Sequence, residues 1–134
     1  MLRLETGRPS AREEARMGDI FFYAGLSLIL THELDAVRRR EWRIFPGLAR
    51  LDDETGYALF TALHVPLFLA LLWALFDGGL ERGLADGLSA FFVVHVGLHL
   101  LALRHPRNEF TGLLSWAAIG GAGLCGVLHL LVGP

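Results

Sequence analysis

The sequence predicts an all-α integral membrane protein, a four-helix bundle, and three observations carry that prediction. Hydrophobic residues make up 53% of the 134-residue chain, and its mean hydropathy is positive, above the range of a soluble domain of this length. Apolar runs long enough to cross a bilayer recur four times, at about 20–37, 56–76, 84–103 and 111–132. Most charged residues lie between those runs or in the first 17 positions, where headgroups and water would hold them.

Residues 1–17 are polar, carry charges of both signs and include a Gly-Arg-Pro-Ser breaker, so they read as a surface arm in front of a membrane domain over 18–134. Their mixed charge and the lack of a small-residue cleavage site argue against a signal peptide. The first span ends at Arg38, Arg39 and Arg40. The connection that follows mixes Trp42, Phe45 and Leu48 with arginines and a Phe-Pro-Gly turn, the composition of an interfacial segment. Asp52, Asp53 and Glu54 then suit the positive end of the second helix. Inside that helix Pro66 frees the carbonyl of Ala62, so a kink is expected beside His64. An Asp77-Gly78-Gly79 turn leads to the third span, and Asn108 or Thr111 caps the fourth. In the fourth, Ala118, Ala122 and Gly126 recur every fourth residue, a small-residue seam for close helix approach within the bundle or between copies of the chain.

Several function classes are excluded. A net charge of −2 without a basic stripe argues against nucleic acid as a partner. All 12 cationic side chains are arginine, which rules out a lysine Schiff base. Cys125 is the single cysteine, so no internal disulfide forms.

Depth is the informative calculation. Counted inward from the arginine-rich ends at 1.5 Å per residue, His32 lies roughly 9 Å deep, His64 and His95 roughly 12 Å and His99 roughly 6 Å. The four share one layer. His95 and His99 are spaced i, i+4, on one helix face, a spacing by which helices present two imidazoles to one metal. Ionisable groups in hydrocarbon are costly and usually mark function. Neutral imidazoles with a carboxylate form the ligand set of zinc or non-haem iron. The expected ligands are His32, His64, His95, His99 and Glu109, with Glu33 and Asp35 as catalytic acid or base groups. A bis-histidine haem is the lesser alternative. Glu41 with Arg38 or Arg43 reads as a surface ion pair, and Ser115 as a backbone-bonded serine. His105 and His129 fall outside the layer.

The motifs His32-Glu33-Leu34-Asp35-Ala36, Glu41-Trp42-Arg43, Thr61-Ala62-Leu63-His64, His95-Val96-Gly97-Leu98-His99 and Arg107-Asn108-Glu109-Phe110 resemble a family of small bacterial four-helix membrane proteins catalogued as a domain of unknown function. The resemblance covers about residues 18–131 and brings no known activity. More distantly the chain is similar to the membrane family named for its HXXEE motif, although Asp35-Ala36 stands where that motif has two glutamates. In ligand set alone it resembles membrane hydrolases with three histidines, an aspartate and a serine around zinc, such as alkaline ceramidases.

These readings predict a membrane metal-binding protein, either a metal-dependent hydrolase or an oxidase acting on a lipid-soluble substrate. The alternatives are a module that binds or transports protons or metal ions, and a metal-free structural subunit. The resemblance implies the bacterial inner membrane. Seven arginines (38, 39, 40, 43, 50, 104 and 107) on the face of the first and third connections, against five (3, 8, 12, 16 and 82) on the other, would put the site on the cytoplasmic side. The expected partners are the bilayer, a lipid-soluble substrate and, through the small-residue face of the fourth helix, a second copy.

Overall fold

The computed structural model describes residues 10–77 and 81–133. It contains four helices: α1 (Ala11–Arg38), α2 (Asp53–Asp77), α3 (Arg82–Ala102) and α4 (Leu113–Val132). All four are long and apolar enough to cross a membrane. In hydrocarbon each backbone N–H and C=O must bond within its own segment, which leaves the helix as the form these runs can take.

α1 starts earlier than its apolar run. Ser10 caps it, and the Glu13 carboxylate accepts from the Ser10 backbone N–H at 2.7 Å, a capping box. The polar residues Arg12 to Arg16 of the expected arm are therefore the first turns of a longer helix. Residues 1–9, and the Gly78-Gly79 part of the expected turn, lie outside the described residues. α2 begins at its acidic cluster and runs on through Pro66.

The bundle is uneven. α1, α3 and α4 pack closely, and 39% of the α1 and α4 spans is buried in the protein against 6% of the α2 span. Small residues make the close packing. A Cβ on Gly126 would stand 2.5 Å from the Ser89 carbonyl oxygen of α3, and one on Gly25 of α1 would stand 3.0 Å from the Phe92 ring. The seam of Ala118, Ala122 and Gly126 is buried inside the chain. Around it Phe22, Leu26, Ile29, Ala85, Phe92 and Ala122 form one core cluster. The second cluster, nearer the arginine-rich end, joins Ala36, Trp42, Phe60, Phe110 and Ile119.

At the far end His129 of α4 donates through Nδ1 to the Gly18 carbonyl of α1 (2.8 Å), while its Nε2 meets Asp86 of α3 at 3.1 Å. One side chain thus ties three helices together. Among the described residues, α2 meets the first cluster through the partly buried Leu71 and Leu75 and joins the second through the buried Phe60.

Gly126→Ala is expected to push α3 and α4 apart and to cost about 1–3 kcal/mol. A Cβ on Gly120 meets nothing within 4 Å, so Gly120→Ala should be neutral or stabilising by up to about 1 kcal/mol. Thermal unfolding of the two variants in detergent checks the contrast.

Candidate metal centre

α1 and α3 bring three histidines to one point. His32 leaves the buried face of α1, while His95 and His99 leave α3 one turn apart. The Nε2 of His99 lies 3.1 Å from the Nε2 of His32 and 3.1 Å from the Nε2 of His95. His32 is fully buried, His99 nearly so and His95 partly. A ring nitrogen offers one N–H or one lone pair. His99 Nε2 therefore cannot serve two neighbouring nitrogens well, whereas a cation among three lone pairs satisfies all three. Their ligand atoms lie within 4.8 Å of one another, close enough to hold one metal ion.

Phe110 covers the group, its ring centroid 4.7 Å from that of His99 and 5.4 Å from that of His32. The outer nitrogens, Nδ1 of His32 and of His99, are buried without a partner among the described residues.

The carboxylate beside the triad is Glu41. It is buried, with Oε1 3.6 Å from His99 Nε2 and Oε2 3.8 Å from His32 Nε2. Burial first, and the nearby Glu33 charge second, push its carboxyl up to about 8. Local geometry drives it inward. Arg40 takes a left-handed conformation (φ 54°) after α1, and a 3-10 turn follows over Glu41–Arg43. Trp42 lies against Gly56 of α2 so closely that a Cβ there would meet the indole at 2.5 Å. Arg43 is clamped by Asp53 at the start of α2 and reaches Glu109 at 3.3 Å. With Trp42 packed and Arg43 clamped, Glu41 faces the triad. The surface pair expected of Glu41 is replaced by burial. The Glu41-Trp42-Arg43 motif was the available signal, but a charged residue after a run of arginines looks solvated until the chain is seen to fold back.

The other expected residues take separate places. His64 sits on α2, its Nδ1 donating to the Phe60 carbonyl (2.7 Å) and its Nε2 on Glu33 Oε2 (2.9 Å). Both its nitrogens are engaged, so it offers the triad no free lone pair. Glu33 and His64 instead line a cavity that His95, His99 and Glu41 also line. Glu109 is partly exposed and bonded to Arg43, because α4 begins only at Leu113 and leaves it in the connection. Asp35 is buried but turned to α4, where the Ser115 hydroxyl donates to its Oδ2 at 2.5 Å and Arg39 pairs with Oδ1 at 3.3 Å. The N-terminus of α4 supplies a favourable field for that carboxylate. Ser115 is thus a link between helices, where a backbone-bonded serine was expected.

The model of a family of unknown function (DUF6713) matches residues 18–133. The chain belongs to that family. The matched region holds α2, α3 and α4 whole, α1 from Gly18 onward and every residue of the triad, and the Gly18 carbonyl at its start receives His129. No curated protein and no solved structure matches the chain.

Ser115→Ala would leave the buried Asp35 without its hydroxyl donor, with an expected loss of about 1–3 kcal/mol. Thermal unfolding in detergent should show the loss, and Ser115→Thr should recover most of it.

Proposed function

We propose that this protein is an integral membrane metalloprotein in which His32, His95 and His99 hold one divalent ion, zinc or non-haem iron, for chemistry on a lipid-soluble substrate. The observation that carries the reading is the convergence of three imidazoles in a buried layer, with the Nε2 of His99 3.1 Å from the Nε2 of both His32 and His95 and the three ligand atoms within 4.8 Å of one another. Nitrogens on one tetrahedral zinc stand roughly 3.3 Å apart for bonds of about 2.0–2.1 Å. The rings meet edge to face, 4.7–4.9 Å between centroids, which suits a bare ion and leaves no slot between them for a haem.

A bound divalent ion would act as a Lewis acid on a carbonyl and make a water at its remaining position acidic. Glu41 is placed either to complete the shell or to take a proton from that position. The pair Glu33–His64 faces the same cavity and is placed to orient a polar group of the substrate. Phe110 and the helices behind it keep bulk water from the other side.

Holding an ion is favoured over carrying ions or protons across the bilayer. Along α1 and α3, Phe22 and Phe92, stacked at 6.4 Å and 0% and 1% exposed, stand between the triad and the polar group at Asp86 and His129, and their rings give a passing proton or ion no hydrogen-bonding partner.

Protein purified without a histidine tag should carry about one equivalent of zinc or iron by mass spectrometry. His32→Ala, His95→Ala and His99→Ala should each lose it, while Glu41→Gln should weaken binding by about 10–100-fold. His64→Ala and Glu109→Ala should keep it. A wild-type protein without metal, or triad variants that stay loaded, would defeat the proposal.

A further inference from the structure

The cavity beside the triad has a volume of about 520 Å³, within the range of small-molecule sites. Its walls differ in character. The end toward α1 carries Glu33, Glu41, His64, His95 and His99, and the remainder is apolar. Leu63 and Leu67 form the α2 wall, Phe91 and Leu98 the α3 wall, and Phe45 and Leu48 the headgroup end. Leu63, Leu67, Phe91 and Leu98 are each between 45% and 54% exposed, at a depth where the surrounding solvent is hydrocarbon. The cavity exists because α2 meets the core cluster through Leu71 and Leu75 and stands off from α3 above that contact.

From this division we infer that the cavity is the binding site of one single-chain acyl amphiphile, which enters sideways from the bilayer between α2 and α3. Its carbonyl or carboxyl head lies against His95 and His99, and its aliphatic chain lies along the leucine and phenylalanine walls. A cavity of this size has room for one chain rather than the two of a phospholipid. The head is specified by charge. A cation held among the imidazoles would draw an oxygen of the head toward His95 and His99, so the head's placement rests on the metal reading. The chain's placement rests on the walls alone.

The test uses a C16 fatty acid with a photoreactive diazirine in mid-chain, added to the protein in nanodiscs, with labelled residues located and metal content measured on the same sample. Labels should concentrate on 60–67 and 91–102. Leu98→Trp, or Leu63→Trp from the opposite wall, should cut labelling at least fivefold with metal content unchanged. Zinc-loaded protein should label more strongly than chelated protein. Labelling that is equally strong on Leu124 and Leu131 of α4, or undiminished in both tryptophan variants, would overturn the site. Labelling that does not depend on zinc would overturn the head's placement. Focused labelling in a protein that never holds metal would sink the metalloprotein reading and keep the pocket; bound metal with diffuse labelling would do the reverse.

Discussion

The structure depends on keeping a handful of polar side chains inside a layer that has no water to offer them. Every unpaired polar group there costs free energy comparable to a lost hydrogen bond or more. The chain answers in groups that each join helices: His129 with Gly18 and Asp86 at one end, Asp35 with Ser115 and Arg39 at the other, and Glu33 with His64 toward α2. Among the described residues, the triad is where three like groups face one another with too few hydrogens to share. A polar layer built for stability would not choose that arrangement, which is why it reads as a site.

The close packing of α1, α3 and α4 makes the triad's spacing dependable. With backbone carbonyl against glycine at Gly126 and ring against glycine at Gly25, α3 has little freedom to slide relative to α1 and α4. His32, His95 and His99 are held from rigid helices, and helices place side chains more accurately than loops. Glu41 is the exception, since it comes from a connection. Its position is recovered by the packing of Trp42 under α2 and the two carboxylates on Arg43, so α2 acts on the triad without supplying a ligand to it.

α2 has a different role from the other three helices. Its spread of apolar residues and its small buried share suit a helix that faces lipid on most sides. Resting on the core cluster at one end and on the connection at the other, it leaves the cavity between its upper half and α3. A fourth helix packed as tightly as α4 would have filled that space and buried the triad beyond reach of any substrate.

The sequence by itself determined the number of spans, their apolar faces and the pairing of His95 with His99, because hydrophobic length and the 3.6-residue period are local properties. It also placed His32 at the right depth, since depth along a helix follows from rise per residue. Which of the layer's residues would meet was decided by tertiary structure. Depth does not specify rotation about a helix axis or the distance between axes, so His64, level with the others, was carried away on the loosely packed α2 and met Glu33. Glu109 stayed in its connection because α4 starts at Leu113. Glu41 entered because a left-handed Arg40 and a buried Trp42 turn the chain back into the bundle, and no local pattern encodes that reversal.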